Sequence, residues 1–267
     1  MKEKIREALL QSGAGAIGFA KAGEIDPEVS REYEEWIGEG CHGEMAYLER
    51  HIPLRRHTDH VLPEAETVIS LAFSYAPRQW RDLSLPTISA YAYGEDYHLV
   101  LRDLLNPIVK SLKEDFGGKW RICIDSAPVA EKYWAVKSGV GVVGLNGAVI
   151  TQEAGSLCFL VEILTTLSLP ADAEAQGSCL ECGACMAICP ARAIQGDKTI
   201  DARKCINYLT IEKKSEFTPS EAEFLNNFPS IRGCDRCLRV CPLNKDIFPT
   251  SISRFNCSDP SALTGKP

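Results

Sequence analysis

No run in this sequence approaches the roughly 20 apolar residues that a bilayer-spanning helix needs, so no membrane helix is expected. The N-terminus, Met1-Lys-Glu-Lys-Ile-Arg-Glu7, lacks the basic-then-apolar layout of a secretory signal. Basic charge is not in excess either. The 29 Lys and Arg face 36 Asp and Glu, a formal net charge of −7, whereas a nucleic-acid binder usually presents a basic surface. Any polyanion must therefore meet a local patch. The imbalance sits in residues 1–170, with 17 basic and 24 acidic side chains, because residues 171–267 carry 12 of each. Nothing repeats at solenoid periods. With 45% hydrophobic and 24% charged residues the composition is that of an ordinary soluble globular protein. Its 267 residues allow one large domain or two of ordinary size.

Cysteine, by contrast, is plentiful, with 12 residues. Without an export signal, that number points to a reducing cytoplasm and metal binding, not to disulfides. The spacing is more specific. Cys179, Cys182, Cys185 and Cys189-Pro190 form a C-x2-C-x2-C-x3-C-P run, a lone Cys205 follows, and Cys234, Cys237 and Cys241-Pro242 form a C-x2-C-x3-C-P run. Ferredoxin modules with two cubane clusters use such runs, the fourth Cys of each serving the other cluster. One [4Fe–4S] cluster is assigned to Cys179, Cys182, Cys185 and Cys241, and the second to Cys189, Cys205, Cys234 and Cys237. Zinc would prefer two C-x2-C pairs closing a tetrahedron. The remaining Cys41, Cys123, Cys158 and Cys257 read as small buried hydrophobes. Arg232, Arg236, Arg239 and Lys245 crowd the second run, as solvated charges or as the local patch for a polyanion.

Periodicity predicts a helix over 1–11, a strand at 16–20, helices at 32–37 and 44–50, and a buried strand over 67–75. A helix follows over 97–114, with Pro107 expected to kink it. A strand at 120–125 ends on Asp125, a helix runs over 129–137, and strands occupy 147–151 and 157–167. The small polar stretch 170–177 marks the boundary into a cluster module held by its metal sites. Its short helices include one near 220–227. The expected architecture is α+β, with a mixed α/β domain over 1–170 and a ferredoxin-like double-cluster domain over 171–267.

Gly139-Val-Gly141-Val-Val-Gly144 matches G-x-G-x-x-G but follows a helix, where the dinucleotide fingerprint needs a strand before it. Close backbone approach explains these glycines better. Taken with Ile124-Asp-Ser-Ala-Pro128, Glu131-Lys132, Asn146, Tyr91-Ala-Tyr-Gly-Glu-Asp-Tyr-His98, His42-Gly-Glu-Met-Ala-Tyr47, Leu62-Pro63 and Asp201-Ala-Arg-Lys-Cys205, they resemble the epoxyqueuosine reductase family. Tyr208-Leu-Thr-Ile-Glu212, Gly233-Cys-Asp and Cys241-Pro-Leu-Asn244 resemble it too, so the likeness spans nearly the whole chain.

That resemblance implies a reductive-dehalogenase-like domain binding cobalamin beside two [4Fe–4S] clusters, and reduction of epoxyqueuosine to queuosine in tRNA. One cluster would reduce the cobalt to Co(I), which attacks the epoxide. The family's proton donor matches Asp125, since opening a C–O bond builds charge on oxygen. A carboxyl packed there against a corrin is expected to have a raised pKa. By itself Asp125 would read as a helix N-cap. Asp96 and His98 would face the substrate side of the corrin, although Asp96 also reads as a helix cap. Asp96-Tyr-His98 runs on to Leu101, so the D-x-H-x-x-G of cobalamin proteins with a protein His on cobalt is not met. Arg55, Tyr97, Ser126, Ala127, Gly141, Val143 and Asn146 are candidate cofactor-pocket residues.

Two departures stand out. The family commonly reads G-W-I-G-K-N where this chain has Gly141-Val-Val-Gly144-Leu-Asn146, and about 25 residues follow Cys241 where members commonly continue. Both bear on tRNA as a partner, as does the acidic balance. A flavodoxin or ferredoxin is expected as electron donor, and the chain as a monomer. Two other functions fit the residues: a two-cluster electron carrier without corrin, and a cobalamin-dependent reductase of a small molecule.

Overall fold

The computed structural model describes residues 1–82 and 84–264. Its strands are β1 (Ala16–Lys21), β2 (Thr67–Ser74), β3 (Thr87–Ile88), β4 (Trp120–Cys123), β5 (Val142–Val143), β6 (Val149–Ile150), β7 (Cys158–Thr165) and β8 (Ser230–Arg232). Helices α1 (Lys2–Leu10), α2 (Pro27–Gly38), α3 (Ala46–Arg50), α4 (Ile52–Arg56), α5 (Tyr97–Phe116) and α6 (Glu131–Lys137) belong to the amino-terminal part. Helices α7 (Ala184–Ile188), α8 (Ile206–Ile211), α9 (Pro219–Asn227) and α10 (Arg236–Arg239) belong to the cysteine-rich part.

The two runs richest in β-branched and aromatic residues, β2 and β7, pair as the centre of a four-stranded sheet of order β1-β2-β7-β4, antiparallel throughout. Alternation along these strands divides the residues between two covered faces. On one face Phe19, Ile69 and Ile163 join Ile5 and Leu9 of α1 and Val100, Leu101, Leu105 and Val109 of α5 in the largest core. Each such buried side chain contributes about 1.5–3 kcal/mol. α5 runs on through Pro107, which lies inside the helix. The other face carries Ala20, Val68 and Leu164 under Val129 and Trp134. Across it runs the row Gly18, Ser70, Glu162, Cys123, one residue from each strand. Helix α6 lies so close to this row that a Cβ on Gly18 would collide with the Ser138 carbonyl.

Several boundaries differ from the expected ones. α6 starts at Glu131, two residues late, because Val129 is instead buried under the sheet face, and a 3-10 turn lies at Ala90–Ala92. The glycine series closes a small hairpin, β5 with β6. Gly141 packs there with the Ile150 carbonyl oxygen 2.5 Å from where its Cβ would stand.

Residues 168–183 have no regular structure, yet they are strapped down. The Asp172 carboxylate accepts from Lys2 Nζ (2.6 Å), Arg6 Nη2 (2.9 Å) and the Phe19 N–H (3.0 Å). The cysteine-rich part buries few large apolar side chains, among them Ile194, Ile206, Tyr208 and Leu209. It is stitched to the rest through polar contacts. β8 pairs in parallel with β3, the buried Asp235 carboxylate accepts the Ala90 N–H at 3.1 Å, and Trp36 Nε1 donates to the Ile200 carbonyl at 2.8 Å. Asn244 accepts from the Ser156 N–H and donates to Ser156 Oγ, both at 2.8 Å, beneath a left-handed Gly155 whose Cβ would strike it. The chain then returns to the first part, where the buried Arg81 guanidinium donates to the carbonyls of Pro260, Ser261 and Leu263.

Candidate functional site: a carboxylate cleft beside two thiol sets

Cys179, Cys182, Cys185 and Cys241 line one cavity, together with Leu145, Asn146, Ile150 and Pro242. These are the thiols that spacing assigned to one cluster. Cys241 reaches them because α10 packs beside α7. Cys189, Cys205, Cys234 and Cys237 form the second set. Burial raises the Cys237 thiol, and the charges of Cys234, Cys205, Cys189 and Cys185 raise it further, so Cys237 lies near both sets. Among the described residues no three His, Cys, Asp or Glu close round a single metal ion. Thiols spread around a space match a cubane, which is held at its corners.

The second site begins at the end of β4. Asp125 adopts a left-handed backbone with φ +48°, a conformation that Asp tolerates better than most residues but that is strained all the same. Three contacts hold it. Its Oδ2 accepts from Tyr97 Oη at 2.8 Å, His98 Nε2 lies 3.2 Å from the same oxygen, and its N–H donates to Glu131 Oε1 at 3.0 Å. On the far side of the imidazole, Asp96 Oδ1 lies 2.8 Å from His98 Nδ1 and accepts the His98 N–H at 2.9 Å. Asp96 is therefore both the N-cap of α5 and the anchor of His98. Its carboxyl, although desolvation opposes this, is drawn below the usual range by those bonds.

The Tyr97 ring stacks on Phe159 of β7 at 4.3 Å and on His98 at 4.0 Å, so the central sheet fixes the site. Burial and then the Asp125 charge push the Tyr97 phenol well up, which keeps it an O–H donor. Tyr91 meets Tyr97 edge-on at 6.4 Å.

Around Asp125 several charged groups converge. Burial, then the charge of Asp125, moves Glu131 up to about 7, while Arg55 pulls it down. Lys132 is accessible to water, yet desolvation by the surrounding protein lowers its ammonium. Tyr47, Tyr91 and Glu212 also feel the Asp125 charge, which brings α3 and α8 to the same place. Arg55 lies 5.6 Å over the Tyr33 ring, and its buried Nε has no hydrogen-bond partner among the described residues. Such an orphaned donor suits a cofactor with amide or carbonyl oxygens. Tyr47, which feels the Asp125 charge, adds exposed aromatic surface to these polar groups, a mixture that suits a large cofactor of mixed polarity.

The other candidates are distributed as follows. Ser126 is exposed beside Asp125, its Oγ donating to the Ile124 carbonyl at 3.3 Å, and Ala127 is half-buried. Val143 is a half-buried residue of β5, and Gly141 packs against β6. Asn146 accepts the Ala148 N–H at 3.3 Å and lines the first thiol cavity. Phe159, Glu131 and Glu212 were not singled out as site residues. Phe159 and Glu212 carry no local signal, whereas Glu131, six residues after Asp125, had one in that spacing.

Comparison with known proteins agrees with this geometry. Residues 178–244 match the 4Fe-4S double cluster binding domain, so the chain binds two clusters, and residues 55–126 match the family described as epoxyqueuosine reductase QueG, DUF1730. An epoxyqueuosine reductase of Cyclobacterium marinum is 38% identical over 248 residues, covering 90% of this chain and 78% of the relative. The crystal structure of an epoxyqueuosine reductase with an epoxyqueuosine-modified tRNA-Tyr stem loop superposes with a TM-score of 0.83 at 26% identity, covering 97% of this chain and 69% of that one. The reductive dehalogenase NpRdhA, at 14% identity and a TM-score of 0.54, shares the fold. With its double-cluster domain, its α+β fold and this degree of identity to a relative covered over most of its length, the chain belongs to the epoxyqueuosine reductase family of oxidoreductases.

Proposed function

We propose that this protein reduces epoxyqueuosine to queuosine in tRNA, with Asp125 as proton donor in a cobalamin-binding cleft. The observation that carries this is the exposed Asp125 carboxylate, held in a strained turn by Tyr97, His98 and Glu131. When bound, cobalamin supplies a strongly reducing, nucleophilic cobalt that the clusters feed with electrons.

The protein's residues do the rest. Tyr97 and His98 aim Oδ2 of Asp125, so that in its protonated form the carboxyl gives its proton to the oxygen released from the epoxide. Such positioned proton transfer contributes about 10²–10⁴-fold. Asp96 fixes the His98 ring, and Phe159 fixes Tyr97. Arg55, Lys132, Ser126, Ala127, Gly141, Val143 and Asn146 are proposed to line the cofactor side. The tRNA is taken to approach through the exposed Arg232 and the half-buried Arg236, beside the second thiol set, with Arg232 next to Tyr91. A small flavodoxin or ferredoxin would deliver electrons to the clusters of a cytoplasmic monomer, with residues 1–170 holding the corrin and 171–267 the clusters. Among the described residues no helix is long and apolar enough to cross a membrane.

Anaerobic reconstitution with iron, sulfide and cobalamin, followed by incubation with epoxyqueuosine-containing tRNA and a low-potential reductant, tests this. Queuosine should form, and Asp125→Asn should lower kcat at least about a hundredfold while corrin binding persists. Turnover surviving that change would remove Asp125 as the acid.

A further inference from the structure

Behind Asp125 stand two carboxyls for which the proposed proton transfer has no use. Glu131 opens α6, and its Oε1 accepts the Asp125 N–H at 3.0 Å. Glu162 lies on the central strand β7, in the row Gly18, Ser70, Glu162, Cys123 that α6 covers. It is fully buried, and neither of its carboxyl oxygens, nor the Ser70 Oγ beside it, has a hydrogen-bond partner among the described residues. An ionised carboxylate there would be far costlier than a neutral acid. The one charged group that acts on Glu162 is Glu131. Groups facing the pair are Asp125 and Cys123 from β4 and its turn, Tyr97 from α5, Arg55 from α4, Lys132 from α6 and the Ser70 hydroxyl from β2, while β1 contributes Gly18.

We propose that Glu131 is the latch of the Asp125 turn: as a carboxylate it grips the Asp125 N–H and holds the turn against Tyr97 and His98, and as a neutral acid it lets go. This rests on Asp125 being the proton donor and makes Glu131 a positioning residue. A left-handed Asp persists only where its surroundings over-determine it, and a bond to an ionised acceptor is roughly twice as strong as a neutral one. Glu162, kept as a neutral acid, adds no repulsion, so Glu131 exchanges its proton near neutral pH instead of being held protonated. The two acids at the site oppose each other. Once Asp125 has given up its proton, its negative charge favours proton uptake by Glu131 from solvent, and the latch loosens for the turn to reset.

Hydrogen–deuterium exchange of residues 124–128 in the cluster-loaded protein tests this without any turnover, so failure of the tRNA assay would not be confused with failure of the latch. After correction for intrinsic rates, protection should rise at least about tenfold between pH ~6 and ~8, with a midpoint near 7. Glu131→Gln, which keeps a neutral acceptor, should give intermediate protection independent of pH, and Glu131→Ala low protection throughout. Glu162→Gln should leave the midpoint in place. A pH dependence that survives Glu131→Gln overturns the latch. A midpoint that falls by more than about one unit in Glu162→Gln overturns the assignment of the charge to Glu131.

Discussion

Residues 1–170 hold themselves together by close packing: Phe19, Ile69, Leu71, Phe73, Leu101, Leu105, Ile163 and Leu164 are essentially inaccessible to water. The cysteine-rich part has no comparable core. Its buried apolar side chains sit in small clusters that lean on the first part, Cys185 and Ile194 on Leu145 and Ala202, Tyr208 and Leu209 on Trp36 and Met45. There, eight thiolates and two clusters replace a hydrophobic interior, as metal sites do in small domains. The difference follows the chemistry. The sheet part must hold Tyr97 and His98 in place to receive Asp125, which interlocked side chains do well. The cluster part must hold inorganic cores at fixed separation, and thiolates do that directly.

Removing the clusters should break this comparison most clearly. Chelation of iron, or Cys237→Ser, should unfold residues 178–244, seen as complete loss of exchange protection there, while the four-stranded sheet stays protected. Equal loss in both parts would mean that the sheet depends on the clusters for its stability.

The next effect concerns the polar row inside the sheet part. Glu162 is kept neutral by burial, its pKa well above the carboxylate range, whereas in the unfolded chain it ionises near pH ~4.3. The folded state therefore binds the extra proton, and this group lowers stability progressively as pH rises above the unfolded value. Glu162→Gln removes that dependence. Relative to wild type it should gain stability with pH at up to about 1.4 kcal/mol per unit between pH ~5 and the folded pKa, as measured by urea unfolding of the sheet part. A flat difference would mean that Glu162 is ionised.

Gly18→Ala sharpens the same point through packing, because the new methyl meets the Ser138 carbonyl. A cost of about 1–3 kcal/mol is expected, with little change in cluster absorbance. The smallest effect lies at the strap between the parts. Desolvation opposes the ionisation of Asp172, but bonds from Lys2 and Arg6 win and hold its pKa low. A lowered carboxylate stabilises above its unfolded pKa and loses that contribution as pH falls through ~4. Asp172→Asn should thus cost about 1 kcal/mol at neutral pH and nothing once the wild-type carboxyl is protonated.

Much of the site could be read from the chain because its chemistry is local. Cysteine spacing pointed to two clusters, and the fold brings Cys179, Cys182, Cys185 and Cys241 to one cavity as that spacing expected, since a cubane's corners fix how far apart ligands on one loop can lie. The strands β2 and β7 announced themselves as apolar, β-branched runs, and α5 by its period. Asp96 as a cap was legible too, because capping acts over two or three residues. Asp125 had no such signal apart from the motif around it.

What sequence could not supply is whatever depends on residues far apart in the chain. Register places Glu162 opposite Cys123 and Ser70, and nothing in Val161-Glu-Ile163 says that this carboxyl is buried without a partner. The stack of Phe159 on Tyr97 spans 62 positions (97 to 159), and the reach of Cys241 to Cys179 spans the same number (179 to 241). The sequence alone determined which atoms could bind metal and which runs could form the sheet, because ligand type and periodicity are properties of neighbours. Only the tertiary structure decided which carboxyl meets which, because burial and charge in a protein interior are set by whatever the fold brings within a few ångströms.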